Sequence, residues 1–501
     1  MKRFAEIACL ILTASCLLLP VPVYAQEDAV ELSLSQCLLM ALDNNLELVA
    51  ARYSPKLADS DITARQAAFD LGFEARVTHA ESQQGAIQSS NPSGSETDSE
   101  SIGVSQNLKF GANYSASFFT QKQTLIGGGS NFASTIFSSF QFDFTVPILR
   151  GFGTPVATEQ LVLARYSAEV SRHDLMTTAE LIMERVEGAY WDVVAAREAL
   201  RIERLSLKRA QELLDLNRRK VEVGSLAPIE ITQAEAGVAS QEENVIVSET
   251  VLLDAEDELR RLMGVPADDP MWDKSIHNLD APLFQTREVD LDQALATAMR
   301  ERSELHSRRQ TLLNRELSEK VARRQLRNQL DFNVQYAPQG LSPSGMTLNA
   351  DFGNSLDVIL DGDEYNWQAS LTYRATFGNR AAKATMARSV LSRQQSETSL
   401  ADQEQTVRVE VRRAVRGVES GMKRVEAGRS NVVLQRRKLE AEQKKYENGM
   451  STSFEVLTFQ SDLATAELAE VRARLDYLKS LASLARVKGT LLASRGLSLA
   501  E

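Results

Sequence analysis

The sequence predicts a mainly α-helical fold with a smaller β portion, written twice by an internal duplication. Three observations carry this reading. Blocks of sequence recur at fixed offsets, apolar residues return every seven positions over two long stretches, and between those stretches the period switches to two.

The duplication organises the rest of the chain. Leu34-Ser-Gln-Cys-Leu-Leu-Met-Ala-Leu42 matches Leu291-Asp-Gln-Ala-Leu-Ala-Thr-Ala-Met299, and the match continues from Glu47-Leu48 to Glu304-Leu305, an offset of 257. From Val186 to Gly264 the offset is 225. The 32-residue difference falls between the two blocks, where the first copy carries a longer Ser/Gly-rich segment. The expected organisation is residues 1–25 as a leader, 26–264 as the first copy, 265–290 as a connector and 291–501 as the second copy.

Each copy opens with a helix, 33–70 or 291–329, of about 57 Å. A long helix follows the β portion, over 156–223 in the first copy and 379–448 in the second, or about 102 and 105 Å at 1.5 Å per residue. Val186, Val193, Leu200, Leu207, Leu214 and Val221 are spaced by seven, as are Val411, Val418, Val425, Val432, Leu439 and Tyr446. A sustained seven-residue apolar repeat holds one stripe along one side of a helix and marks a coiled-coil seam. Gly224 and Gly449 then end the long helices, since glycine accepts the left-handed conformation of a helix C-terminus. Returning helices, 226–263 and 452–494, carry the seam back through Ile231, Val238, Val245, Leu252 and Leu259, and through Leu457, Ala464, Val471, Leu478 and Ala485. Two shorter helices end to end therefore match one long helix.

Between the opening and long helices, residues 71–149 and 330–377 alternate apolar with polar. Phe140, Phe142, Phe144, Val146 and Ile148 form one such set; Leu71, Phe73, Ala75 and Val77, then Leu330, Phe332, Val334 and Tyr336, then Trp367 to Phe377 form others. Strands with one apolar and one polar face suit a membrane barrel, and a half-buried soluble sheet shows the same alternation. Four such strands cannot close a barrel alone, and lipid leaves open edge amides without partners. If the strands enter a membrane, several chains must share one barrel. A further pair, 102–110 and 112–119, lies inside the extra 32 residues, so a trimer would hold 12 strands or 18.

The chain's beginning reads as an export signal. Lys2 and Arg3 precede an apolar run from Ile7 to Leu19, and Val23-Tyr24-Ala25 supplies small-residue cleavage chemistry before Gln26. Cys9 and Cys16 leave with it, so Cys37 remains without a disulfide partner. A net charge of −12 argues against nucleic acid as a partner. Catalysis finds no support. His79, His173, His277 and His306 are expected to lie far apart and show no metal-ligand spacing. Gly127-Gly-Gly-Ser130 lacks the Gly-Lys-Ser/Thr of a phosphate loop, and no Ser/His/Asp arrangement has local support. Neither an enzyme nor a cofactor is expected. Asp268-Asp269 reads as a solvated pair in the connector.

Taken together, these pieces resemble the TolC-like family of outer-membrane efflux proteins. The resemblance covers the whole mature chain: both opening motifs, the strand pairs, the long helices, the Pro147-Ile-Leu-Arg-Gly-Phe-Gly153 strand exit and the tip motif Tyr446-Glu-Asn-Gly449 with Phe454-Glu-Val-Leu457. It implies a homotrimer with a shared β-barrel in the outer membrane of a Gram-negative-type bacterium. That barrel continues into a long coiled-coil α-helical tunnel across the periplasm. It also implies a periplasmic adaptor (membrane-fusion) protein and an inner-membrane pump, with cargo passing through passively. Gly224 and Ser225, and Gly449 and Met450, become the hairpin tips where the adaptor docks. Glu455, its copy Glu230, and Tyr446 become the tunnel entrance and its closed-state contacts. A glutamate in the first turn of a helix also simply complements the helix dipole, and Tyr446 also continues the seven-residue seam. Two positions depart from the family pattern: Thr458 stands where a second acid is usual, and Asn45-Leu46 where Asn-Pro is common. The competing function is a soluble periplasmic coiled-coil adaptor with a small β-domain.

Overall fold

A computed structural model describes residues 29–83, 94–126, 134–282, 284–343 and 351–499. The leader with Cys9 and Cys16, and the Gly127–Ser130 segment, lie outside the described residues. The first copy runs β1 (Val30–Leu32), α1 (Leu34–Asn44), α2 (Leu46–Gln66), β2 (Gly72–Gln83), β3 (Gly94–Asn107), β4 (Asn113–Ile126), β5 (Ser134–Pro147), α3 (Thr154–Ala157), α4 (Glu159–Glu222) and α5 (Ile229–Met263). A connecting strand, β6 (Ile276–Asn278), leads to α6 (Leu291–Glu301), α7 (Ser303–Gln325), β7 (Gln329–Pro343), α8 (Phe352–Asp361), β8 (Tyr365–Arg374), α9 (Arg380–Glu447), α10 (Ser453–Val487) and α11 (Leu491–Ser494). Among the described residues no helix is long and apolar enough to cross a membrane.

The chain divides into two compact units. One comprises residues up to Asn45, Arg185–Thr286 and Gly421–Lys479. In it the seam is core: Val186, Val193 and Leu200 from α4, and Val425, Leu439 and Tyr446 from α9, are all buried. Both long helices end in the same way. Ser225 N–H bonds Lys220 O and Gly224 N–H bonds Val221 O, both at 2.9 Å; Met450 N–H bonds Lys445 O at 2.8 Å and Gly449 N–H bonds Tyr446 O at 3.2 Å. These paired bonds close a Schellman cap, which requires a left-handed residue. Gly224 and Gly449 supply it at φ 73° and 74°.

The connector is more ordered than a linker. Its β6 pairs in parallel with β1, Val30 opposite Ile276. The buried Glu256–Arg260 pair, 3.1 Å apart, holds this strand: Glu256 accepts the Ile276 N–H at 3.2 Å. Asp269, read as solvated, instead accepts the Met271 N–H at 2.8 Å.

The second unit comprises Leu46–Glu184, Arg287–Ser420 and the chain from Ser480 onward. Its centre is one six-stranded antiparallel sheet in the order β2-β3-β4-β5-β7-β8. The pair at 102–119 is therefore two full strands of this sheet, 94–107 and 113–126. Helix α8 covers the loop end of β5 and β7: Ser355 Oγ lies 2.8 Å from Ser138 Oγ, and Gly340 leaves no room for a Cβ beneath Ser355 O. The alternation past β8 stops at Arg374, leaving Phe377 almost wholly exposed.

The expected single opening helices are each broken once, at positions the duplication equates. Asn45 separates α1 from α2, is buried, and donates from Nδ2 to Leu262 O at 2.8 Å. Arg302 separates α6 from α7, is buried, and bonds the carboxylates of Glu304 and Glu410. A glycine packs against each break. A Cβ on Gly264 would lie 2.3 Å from Asn44 O, and one on Gly489 would lie 2.9 Å from Glu301 O. Gly489 also ends α10 at Val487, earlier than the seam predicted, and a separate short turn, α11, follows.

Candidate functional site at the hairpin tips

Each hairpin bend occupies five or six residues, between Glu222 and Ile229 and between Glu447 and Ser453. Around the bends the structure gathers polar side chains from both copies. Asn217, on α4, is fully buried and donates from Nδ2 to Ser453 Oγ at 2.7 Å and to Glu230 O at 3.1 Å. Tyr446, on α9, donates its hydroxyl to Asn217 Oδ1 and also lies 3.1 Å from Ser453 Oγ. Lys220 donates to Tyr446 O at 3.0 Å while its ammonium sits 4.2 Å from the Tyr446 ring centroid, a cation–π contact. Burial pushes the Tyr446 phenol above its ordinary value, so the hydroxyl stays a donor. Below this polar knot, Leu213, Leu439, Val456 and Leu463 form an apolar core with the Tyr446 ring.

The two acids occupy one position of the repeat but meet different groups. The Glu230 carboxylate accepts the Ser453 N–H at 3.2 Å, capping the first turn of α10, a helix of the other copy. The equivalent of Ser453 in the first copy is Pro228, which has no N–H to offer, so the contact is one-sided. Glu455 sits three residues after Thr452, whose Oγ1 accepts the Glu455 N–H at 3.4 Å, the spacing of a capping box. Its own carboxylate accepts Ser451 Oγ at 2.7 Å and remains exposed. Ser451 Oγ also lies 2.6 Å from a Glu442 carboxylate oxygen, so its single proton is shared between the two acids; this contact, with Lys445 beside it, holds the Glu442 carboxyl below the usual range. Thr458 turns back to its own helix, donating to Phe454 O at 2.8 Å.

Outside the knot the tips are apolar and open. Val223, Ile229, Met450 and Phe454 are each more than half exposed, and Gly224 and Gly449 have no foreign atom within 4 Å of a Cβ position. Ser225 is held by its own helix end, its hydroxyl donating to Lys220 O at 2.9 Å.

Sequence reasoning singled out Tyr446 and the two acids and passed over Asn217, Ser453, Ser451, Glu442 and Lys220, which the structure places beside them. Asn217 carried a usable signal: an amide between Leu214 and Val221, beside an apolar seam, demands a polar partner if buried. The histidines needed correction. His173 and His306 stack with centroids 5.2 Å apart, and His79 Nδ1 lies 2.7 Å from Asp98 Oδ1, with Glu96 beside them. Strand register and helix packing made these neighbours, so sequence spacing could not reveal them. All three residues of the His79 group are exposed.

The described residues thus combine a six-stranded antiparallel sheet with duplicated helical hairpins. The chain belongs to the outer membrane efflux protein family, whose model matches residues 113–265 and 344–490. It is accordingly an outer-membrane protein extending into the periplasm. The pyoverdine export outer membrane protein OpmQ of Pseudomonas aeruginosa is 26% identical over 335 residues. That match spans 64% of each chain, so just under two thirds of the relative's length is covered. The same-named protein of Pseudomonas putida is 31% identical over 100 residues, 20% of this chain and 21% of that one. The Campylobacter jejuni outer membrane channel CmeC superposes with a TM-score of 0.68 at 14% identity, covering 93% of this chain and 87% of the other. The Vibrio cholerae outer membrane protein VceC superposes at 0.66, also at 14% identity, covering 91% and 96%. Family and fold are those of channel proteins, not enzymes.

Proposed function

We propose that this chain is the exit duct of a tripartite efflux or type I secretion system. Three copies share one barrel in the outer membrane, and their hairpins line a periplasmic tunnel. An inner-membrane pump, joined through a periplasmic adaptor, hands over the cargo, which then leaves passively without any cofactor.

The observation that carries this reading is the tip: a buried polar knot ties α4 to α9 and α10, while Val223, Ile229, Met450 and Phe454 stay exposed. Buried amide and hydroxyl groups lose their partners if the helices part, at about 1–3 kcal/mol for each group left unsatisfied. The tie therefore favours one tip conformation without making it permanent, as an entrance that opens must. The exposed apolar residues provide a surface for an adaptor tip, and Gly224, Ser225, Gly449 and Met450 shape it. Glu455, exposed on the same end, is the entrance acid. Glu230 acts instead through the α10 first turn. The adaptor reading of this chain is set aside, because family membership assigns it to the outer membrane.

Planar bilayers test the proposal. Purified protein is expected to form ion-conducting channels, and Tyr446→Phe, which removes the hydroxyl between Asn217 and Ser453, is expected to raise their open probability or conductance. Protein that inserts but never conducts, in either form, overturns the duct reading.

A further inference from the structure

Strands β3 and β4 raise a question about the barrel itself. They are the part of the first copy that the second copy lacks, and β3 is strongly polar: Glu96, Asp98 and Glu100 stand in GSETDSESIGVSQN. A hairpin of this kind invites the expectation that it lies outside the membrane, leaving four strands per chain. The hydrogen-bond register argues otherwise. β2 pairs with β3 from Gly72–Ser105 to Gln83–Gly94, and β4 pairs with β5 from Asn113–Thr145 to Thr124–Ser134. β2 and β5 therefore never meet. They stand three strand spacings apart, about 14 Å, with β3 and β4 filling the gap along their full length.

Side chains follow the same continuity. One row across the sheet reads Phe73, Val104, Ala116, Phe142, Tyr336 and Trp367, one residue from each strand, all on one face. The next row reads Ala75, Ile102, Phe118 and Phe140 over the first four strands. On the opposite face the matching residues are polar or small: Glu74, Gly103, Ser117 and Gln141. The charged residues of β3 fall in the rows beyond this band, toward the loop end, where Asp98 faces His79 and Lys122. Helix α8 lies on the band's own face at that end, the edge of Phe352 against Phe118 at 6.2 Å.

We propose that every chain contributes six membrane-spanning strands, not four, so that three copies close an eighteen-stranded barrel. This rests on the duct reading above. Among the described residues the outer strands β2 and β8 each carry one unpaired edge, and a second copy of this chain is the occupant of both. Six alternating strands leave β2 and β8 antiparallel. The β8 edge of one copy thus meets the β2 edge of the next in antiparallel pairing, giving the even, all-antiparallel closure of bacterial membrane barrels. Barrel diameter grows roughly linearly with strand number. The outer-membrane segment would therefore be about 1.5 times as wide as a twelve-stranded one, with Ser99, Ser101, Ser115 and Ser117 lining its water-filled side. β3 and β4 thus serve passage of wider cargo through the membrane.

Nitroxide labels on the full chain in liposomes test this. Ile102→Cys and Ser101→Cys probe the two faces of β3, with Phe142→Cys and Gln141→Cys on β5 as references. Phe118→Cys and Ser117→Cys on β4 stand in if a β3 variant fails to insert. Cys37 is fully buried and its thiol is pushed up to about 12, so it stays unlabelled. The expected result is an oxygen-to-nickel-chelate collision ratio several-fold higher at 102 than at 101, matching the contrast between 142 and 141. Lipid contact at 142 with water on both sides of 102 and 118 overturns the six-strand barrel and leaves the duct reading standing. Water at 142 as well overturns both.

Discussion

Glu230 and Glu455 occupy one position of the duplicated tip, and their surroundings assign them different roles. The Glu230 carboxylate is tied to the Ser453 N–H, whereas the Glu455 carboxylate is exposed and lies against Ser451. Neutralising each should therefore give different phenotypes. Glu455→Gln is expected to reduce cation preference, read as a reversal potential in a salt gradient, with little change in melting temperature. Glu230→Gln is expected to lower stability by about 1 kcal/mol, as loss of a helix cap does, with selectivity almost unchanged. A Glu455→Gln channel of unaltered selectivity would assign that acid to its helix cap alone.

At the scale of elements, the four glycines that end α4, α5, α9 and α10 separate into two kinds. Gly224 and Gly449 adopt positive φ in open space; Gly264 and Gly489 adopt it against backbone. Alanine at 224 or 449 should cost about 1 kcal/mol, the strain of a left-handed conformation alone. At 264 or 489 the added methyl also meets the chain at a helix break, and the cost should reach about 3 kcal/mol. Thermal melting in detergent measures both, and equal losses at all four sites would contradict the distinction. Helix α4 also carries a pH response. Glu180 is buried, and its carboxyl is pushed up to about 7, first by burial and then by Glu304, against Arg302 and Arg486. Folding raises this acid above its ordinary 4.5, so ionisation is costlier in the folded state. Its contribution is intact below about pH 4.5, declines toward pH 7 and is level above. Glu180→Gln should flatten that segment of the melting-temperature profile, and an unchanged slope would assign it to other groups.

The tips and seams were legible because glycine at a helix end and apolar residues every seventh position are local signals. The helix breaks were not, because Asn45 and Arg302 are neither glycine nor proline. They break the helix through partners, Leu262 O and Glu410, that lie far along the chain. Helix α8 escaped notice as a short amphipathic segment between two strands.

For the whole molecule, strand number was the hardest feature to read. Only Ile102 and Val104 mark the apolar face of β3, too few for an alternation signal, and pairing on both sides makes it a strand. The buried tip residues were hidden for a related reason: Asn217 and Ser453 lie 236 positions apart and meet only when the two copies pack together. Function at this scale depends on closure, because a sheet with two free edges leaves amides unpaired in lipid. Cryo-electron microscopy of the purified protein in lipid nanodiscs tests that dependence most directly. Three chains around one open bore, each closing its β2 edge against a neighbour's β8, is the predicted result. A solitary chain whose sheet seals on itself, or a solid bundle without a bore, would contradict it.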